Sequence, residues 1–272
     1  MPMVESAGRV ALVVALMVRL RICTAWQITH TGVNGMIWET STTRILVDPL
    51  VVGSLTFLNL PQLYSAKARG PPPAAELLEE TFDAVVLTQG LPDHAHLPTL
   101  RALRPTTVYG PPSAEGVARC SGKPFRCLDH GQVVSIGDVT LRALPGALVG
   151  PPWQKRENSI LATTCDGRGV YYEPHGDYES DALLRQLQAD VDVLIAPATT
   201  QRIAGVFDLV KGNDNLDRAA KLLDVDVVVD LPNGDVDADG LLAPLVAAIP
   251  RRDSAGQPFR LIRPALGARV SV

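Results

Sequence analysis

Residues 82–94 read Phe-Asp-Ala-Val-Val-Leu-Thr-Gln-Gly-Leu-Pro-Asp-His. The first half of this stretch, up to Thr88, is short and almost continuously apolar, which predicts a strand that is buried on both faces. The following residues, 89–98, contain glycine and proline and are predicted to form a loop. This loop brings a carboxylate and an imidazole, Asp93 and His94, to the end of the buried strand.

The elements on either side of this stretch indicate a layered domain of strands and helices. Before it, we predict a turn at residues 31–35, strands at 36–39 and 44–47, and an irregular segment from 51 to 81. After it, two hairpins are followed by alternating helices and strands, with hairpins at 132–144 and 159–172, strands at 107–109, 191–196 and 225–230, and helices at 113–119, 178–188, 216–223 and 240–249. This order is typical of an α/β or α+β domain. We find no internal repeat and no linker between domains.

Composition narrows the functional classes. The chain has 272 residues, 46% of them hydrophobic, which suffices for one sizeable core. A net charge of −4 gives no basic surface for nucleic acid. The four cysteines form no CxxC motif, and we expect buried or inert thiols in a reducing compartment.

The N-terminus carries a short apolar run. Residues 10–18 form nine apolar residues between arginines, far short of the roughly 20 that span a bilayer. We therefore divide the chain into an N-terminal extension, residues 1–25, and one domain, residues 26–272. The extension is interpreted either as an added strand or helix packed on the domain or as a targeting remnant.

The stretch at 82–94 resembles the signature of the metallo-β-lactamase superfamily. In that family, a buried strand ending in threonine leads into His-x-His-x-Asp-His, whose side chains hold two metal ions. Here the four positions read Gln89, Leu91, Asp93 and His94. The Asp-His pair matches, and both histidines of the first metal position are absent. The resemblance, which covers roughly residues 26–250, implies an α+β fold: a four-layer αββα sandwich.

Further landmarks of the family occur in the same order. Residues 44–49 resemble the early strand that ends in Asp-Pro, where Asp48 supports the metal loop. Residues 171–175, Tyr-Tyr-Glu-Pro-His, place His175 at the position that bridges the metals in the family. Together with Gly-Pro-Pro-Trp-Gln and Glu-Asn within residues 150–158, they resemble a plant, algal and cyanobacterial subgroup of uncharacterised activity. That resemblance implies a plastid or cytoplasmic location.

The resemblance implies one divalent ion, with zinc as the first choice and iron or manganese as alternatives. Asp93, His94 and His175 are the expected ligands, and Asp93 and His94 the expected catalytic residues. A fourth ligand is offered by one of three further residues: Glu173, Asp230 or His96. A single bound ion lowers the pKa of a water molecule to roughly 7.

Two functions of different classes follow. The first is a mononuclear metal-dependent hydrolase acting on a small ester, amide, lactone or phosphodiester. The second is a metal-free, inactive member that binds a small molecule or a protein, so the sequence leaves open whether the chain is an enzyme. We expect a small-molecule substrate, no nucleic acid and no membrane span, and the sequence does not determine the oligomeric state. Serine-nucleophile and phosphate-loop motifs are absent.

Several of these residues also have a purely structural interpretation. Asp93 is placed to cap the following helix, and His94 to hold Asp93 through a hydrogen bond. Turn chemistry alone explains residues 173–175. Trp153 is interpreted as a packing anchor, and His30, His96 and His130 as structural residues. The apolar segment at 51–75 is either a lid over the cleft or a packed excursion.

Overall fold

We describe the chain from a computed structural model, which covers residues 25–69, 74–151, 153–251 and 257–272. The predictions for the extension before residue 25 and for Cys23 lie outside the described residues. Within the described part, no helix is long and apolar enough to cross a membrane.

One mixed sheet of seven strands contains the buried strand predicted before Thr88. Its strands are β1 (Gln27–Gly32), β2 (Gly35–Glu39), β3 (Arg44–Val47), β6 (Ala84–Val86), β7 (Val108–Gly110), β8 (Phe125–Cys127) and β20 (Arg269–Ser271), in the order β20-β1-β2-β3-β6-β7-β8. Pairing is antiparallel from β20 to β3 and parallel from β3 to β8. The last strand of the chain therefore closes the edge beside the first.

A second seven-stranded sheet repeats this plan. Its strands are β9 (Val133–Ile136), β10 (Val139–Pro145), β11 (Asn158–Thr164), β12 (Gly169–Tyr172), β13 (Val193–Ala196), β16 (Val227–Asp230) and β19 (Arg260–Ile262), in the order β19-β16-β13-β12-β11-β10-β9. The two predicted hairpins provide the antiparallel half. The predicted helix-strand alternation provides the parallel half.

The side chains alternate between two sides of each sheet, which creates four layers. In β3, Ile45 and Val47 face a core shared with the second sheet, whereas Leu46 faces the helices. Three helices cover the first sheet and two cover the second: α1 (Ala74–Glu79), α2 (Leu97–Ala102), α3 (Glu115–Cys120), α4 (Asp181–Leu187) and α5 (Asp214–Leu223). Successive residues of a strand point to opposite faces, so one strand serves both cores. The αββα prediction is confirmed.

Two three-stranded sheets differ from the sequence-based expectation. They consist of β4 (Leu55–Thr56), β5 (Ser65–Ala68) and β17 (Val236–Asp239), and of β14 (Thr200–Ile203), β15 (Phe207–Val210) and β18 (Val246–Ile249). The helix predicted at 240–249 is wrong, because residues 246–249 pair antiparallel with β14 after a 3₁₀ turn at Ala243–Leu245. Part of the segment at 51–81, predicted to be irregular, becomes β5 because β17 returns to pair with it.

Exposure bears on two further predictions. Cys120, Cys127 and Cys165 are free and exposed, so the buried alternative of the expectation of buried or inert thiols is wrong for these three residues. Trp153 leaves 86% of its surface in solvent, so it does not anchor the packing of its segment. Both residue types are usually buried to a large extent, which is why composition alone favoured the wrong environment.

Candidate metal centre

Asp48 supports the loop that follows β6. It is fully buried at the end of β3, where its backbone adopts a positive φ of 42°. Its Oδ1 accepts a hydrogen bond from the backbone N–H of Thr88 at 2.8 Å, and its Oδ2 accepts one from the Thr88 hydroxyl at 2.6 Å. The same Oδ2 lies 2.8 Å from Nδ1 of His94. One carboxylate therefore holds both the strand end and the imidazole that follows it.

His94 and His175 face each other through their Nε2 atoms, which are 3.1 Å apart. Nδ1 of His94 faces the Asp48 carboxylate, and Nδ1 of His175 lies 3.1 Å from the carbonyl oxygen of Leu209. Because a carboxylate and a carbonyl only accept, each Nδ1 carries a proton and donates. With its proton on Nδ1, each ring in its neutral form keeps its lone pair on Nε2, as do histidines that bind metals.

Asp93 completes the group. Its Oδ2 lies 3.2 Å from Nε2 of His94, and ligand atoms of Asp93, His94 and His175 all lie within 4.8 Å of one another. Its Oδ1 is buried without a hydrogen-bond partner. Two lone pairs and a carboxylate at such distances repel unless a cation lies between them. The three residues therefore fit a divalent ion, with imidazole and carboxylate ligands that suit zinc, iron or manganese.

The three side chains of the group differ in the direction of their pKa shifts. Burial lowers the pKa of His94, but the charges of Asp93 and Asp48 outweigh it and raise this pKa to about 10. Burial and the neighbouring His94 lower the pKa of His175. Burial raises the pKa of Asp93, and the opposing charge of His94 prevails and lowers it. In the absence of a metal ion, the positive charge among these three side chains is therefore that of protonated His94.

Two amide side chains border the group. Gln89 Nε2 lies 2.7 Å from Nε2 of His175, and Asn34 Nδ2 lies 3.0 Å from Nε2 of His94. Both amide oxygens are buried without a partner. Gln89 therefore reaches the centre at the position where the sequence signature has a metal-binding histidine. Leu91, the other replaced position, instead faces a pocket.

The loop that carries His175 is held by a small sheet and by Glu173. The backbone N–H of Lys211 donates to the carbonyl of His175 at 2.7 Å. Oε2 of Glu173 accepts hydrogen bonds from the backbone N–H groups of His175 and Asp177. Burial raises the pKa of Glu173 to about 7. Glu173 is not a member of the ligand group, so its observed contacts are those of a residue that shapes the turn.

The other proposed ligands also lie outside the group. His96 is buried between the Thr99 hydroxyl and the Ser54 carbonyl, as its structural interpretation requires. Asp230 accepts from the backbone N–H of Ala198. The capping interpretation of Asp93 is wrong, because α2 begins after His96 and no side chain caps it.

The remaining histidines have structural contacts as expected. His30 lies 3.2 Å from the carbonyl of Val33, and His130 lies 3.2 Å from the carbonyl of Glu157. Neither is a member of the ligand group.

A pocket of about 600 Å³ opens onto the centre. Asp93 and His175 line it, whereas His94 is fully buried behind them. Of the two residues expected to be catalytic, Asp93 is therefore the one that faces the pocket, and His94 is a ligand candidate. Within the segment at 51–75, Phe57 and Tyr64 pack against each other and line the pocket, so this segment contributes to one of its walls.

Sequence reasoning missed three groups that orient the centre. The single O–H of Tyr172 is shared between the Asn34 carbonyl at 2.9 Å and Asp48 Oδ2 at 3.2 Å. Asn34 itself belongs to a turn that was predicted only as a turn. The Leu209 carbonyl belongs to a strand that was not predicted. The residue pattern does not indicate where a backbone carbonyl will lie. Of these three groups, only Tyr172 belonged to a motif that the sequence analysis singled out, the Tyr-Tyr pair within residues 171–175.

Comparisons with known proteins agree with this architecture. A family model described as "Beta-lactamase superfamily domain" matches residues 27–231. A comparison with curated proteins found no match.

Solved structures with the same fold have low sequence identity. An isothiocyanate hydrolase from Delia radicum gut bacteria is 16% identical, with a TM-score of 0.64 over 90% of this chain and 98% of that chain. A novel metallo hydrolase from the archaeon Ignicoccus hospitalis KIN4/I is 16% identical, with a TM-score of 0.61 over 92% and 99%. CmlA, a diiron beta-hydroxylase from Streptomyces venezuelae, is 17% identical, with a TM-score of 0.58 over 76% and 44%. At these identities, the similarity establishes the fold.

Proposed function

The chain belongs to the beta-lactamase superfamily, and on that premise we propose that it is a metal-dependent hydrolase with a single divalent ion. The ligands are His94 Nε2, His175 Nε2 and the carboxylate of Asp93. The observation that carries this proposal is the convergence of these three groups within 4.8 Å, with both rings oriented by acceptors behind them. Catalytic zinc sites commonly use three such protein ligands and leave one position open.

A second ion is not part of the proposal, because two of the residues that would hold it are replaced. Leu91 has no donor atom, and Gln89 offers a neutral amide. Zinc is the preferred ion, given two imidazoles and one carboxylate. The motifs at 150–158 and 171–175 support membership of the plant, algal and cyanobacterial subgroup. A plastid or cytoplasmic location follows from that membership and is tested by imaging a tagged chain.

When bound, a divalent ion would act as a Lewis acid and lower the pKa of a water molecule to roughly 7. Asp93 lines the pocket and its carboxylate is ionised, so we assign it the role of orienting the attacking water and accepting its proton. His94 stays behind Asp93 and keeps its ring orientation through Asp48.

The substrate class is a small molecule with a hydrolysable carbonyl or phosphoryl group: an ester, amide, lactone or phosphodiester. Two of the structural neighbours are named as hydrolases, one of them for isothiocyanates. Isothiocyanates also present an electrophilic carbon to an attacking water, and we add them to the compounds to be tested.

Metal content of the purified chain tests the proposal. We expect about one transition metal per chain, measured by elemental analysis after extensive dialysis and after reloading with Zn²⁺ or Mn²⁺. The variant His175→Ala should lose it while keeping its circular dichroism spectrum. The matched control His130→Gln alters a histidine outside the group and should keep the metal.

Turnover is then measured with a panel of chromogenic esters, lactones and phosphodiesters. Hydrolysis that depends on the ion and is lost in Asp93→Asn supports the enzyme. A chain that takes up no metal under any loading condition would contradict the proposal and favour the metal-free binding module.

A further inference from the structure

The pocket above the candidate centre is built by the two small sheets rather than by the sandwich. One wall comes from β4, β5, β17 and the turn between β4 and β5, and the opposite wall from β14, β15 and β18. The side chains that they contribute are mostly apolar: Leu55, Phe57, Tyr64, Ile203, Phe207, Leu209, Val236 and Val246. Leu148 and Val149 of the loop after β10 add to this surface. The reacting groups thus lie at the polar floor of an apolar channel.

The charged side chains of these walls are paired with each other. Asp177 binds Lys211 at 2.7 Å and Arg156 at 3.4 Å. Asp208 forms a salt bridge with Arg202 at 2.6 Å. A charged substrate would have to compete with these partners, and such an exchange gains little free energy.

The amides of the walls are also used internally. Gln201 donates to the side-chain oxygen of Asn233, and Asn233 donates to the carbonyl of Pro174. Such pairing leaves the apolar surface as the main source of binding energy for an occupant.

Apolar side chains also remain exposed where the channel meets solvent. Phe207 is 58% exposed, and Leu91 and Leu209 are about two-fifths exposed, although all three line the pocket. Large exposed apolar groups beside a pocket are typical of a surface that is covered when a ligand binds. Here they extend the apolar walls from the floor at Asp93 to the mouth.

We propose that the substrate is a lipophilic molecule, in which one hydrolysable ester, amide or thioester group is joined to a straight apolar arm. The inference rests on the proposed hydrolase function for the reacting group and on the channel for the arm. The polar group lies at Asp93 and His175, and the arm lies between the two small sheets with its end at Phe207. A volume of about 600 Å³ lies within the range that encloses drug-sized ligands.

Binding of neutral alcohols tests the channel without the ion or turnover. The full chain, dialysed against a chelator, is titrated calorimetrically with 1-hexanol, 1-octanol and 1-decanol. Burial of each additional CH₂ should tighten binding by about fourfold, so two carbons give roughly 15-fold. Affinity that does not change with chain length would overturn the proposal. Because no hydrolysis is involved, this result is independent of whether the chain proves to be an enzyme.

Two pairs of neighbouring residues supply matched variants. Phe57 lines the pocket, whereas Leu58 is 79% exposed beside it. Phe207 lines it from the opposite sheet, whereas Val206 is 87% exposed. We expect Phe57→Asp and Phe207→Asp to weaken 1-decanol binding by at least tenfold, and Leu58→Asp and Val206→Asp to change it less than twofold.

Circular dichroism and thermal unfolding of the chelated chain serve as the check on folding for all four variants, so this check does not depend on the metal centre. Equal losses within a pair would refute the channel, since an aspartate anywhere on the surface would then have the same effect. With medium-chain p-nitrophenyl esters and the loaded chain, the Phe57 and Phe207 variants should raise KM more than they lower kcat.

Discussion

Uptake of a divalent ion at the candidate centre should release close to one proton from His94, in addition to the proton lost by a water molecule bound to the ion. In the absence of an ion, Asp93 and Asp48 raise the pKa of His94 to about 10, so at pH 8 about 99% of its rings are protonated. A ligand must give up its proton before it can bind metal. His175, whose pKa is lowered, and Asp93, which is ionised, have no proton to release at this pH.

The expected size follows from the same pKa. At pH 8 a bound water with a pKa of roughly 7 would release about 0.9 protons per ion, and a histidine at its ordinary pKa of 6.5 would add only about 0.03. With His94 protonated in the absence of the ion, the total should instead be about 1.9 protons. Loss of the His94 proton alone should raise the affinity for the ion about tenfold for each pH unit between 7 and 9, or about 1.4 kcal/mol per unit, in addition to the increase caused by the bound water.

Calorimetry with Zn²⁺ in buffers of different ionisation enthalpy measures the number of protons directly. His130→Gln, which alters a histidine outside the group, should give the same release as the unaltered chain. Release near 0.9 protons at pH 8, the amount expected from the bound water alone, would refute the charge distribution derived for His94. The ion could still bind in that case, so this result is separate from the test of metal content.

Four further predictions concern metal affinity and stability. Asp48→Asn should weaken metal binding 10- to 100-fold in competition with a chelating dye, because it removes the acceptor that orients a ligand. Gln89→His should strengthen it at least tenfold in the same assay, since an imidazole replaces a neutral amide at the centre. Because burial raises the pKa of Glu173 to about 7 in the folded chain, its contribution to stability is complete below pH 4.5 and is lost as the pH rises through about 7. Between pH 4.5 and 8, the free energy of unfolding of the chelated chain, measured with urea, should therefore fall by about 3 kcal/mol more than that of the Glu173→Gln variant. Gly169→Ala should prevent folding, because its Cβ would lie 1.7 Å from a backbone oxygen, whereas Gly116→Ala has free space and should be neutral or stabilising by about 1 kcal/mol in thermal unfolding.

The layered fold could be predicted because local patterns and global architecture agree. The short apolar run of β6 indicated a strand buried on both sides, and it lies between the core shared by the sheets and the core under the helices. Both hairpins were visible as apolar runs joined by Gly-Asp or Asp-Gly turns, which need no distant partner. Prediction failed at residues 246–249, where a strand forms only because β14 offers it an edge.

Only those parts of the candidate site could be predicted whose residue types are typical metal ligands. Asp93 and His94 are adjacent in sequence, and His175 was matched through the resemblance of its motif. The contact between Gln89 and His175 joins residues 86 positions apart, and no local pattern contains it.

By itself, the sequence determined which residues can ligate an ion and which strands bury their side chains, because residue chemistry and periodicity act locally. Only the tertiary structure decided which ligand atoms lie close together. The ring of His175, for example, is oriented through Nδ1 by the carbonyl of Leu209, which belongs to a small sheet that was not predicted. The same sheets decided that the centre opens into an apolar channel. Strand pairing between distant segments depends on backbone hydrogen bonds that every residue type except proline can form, so composition does not record it.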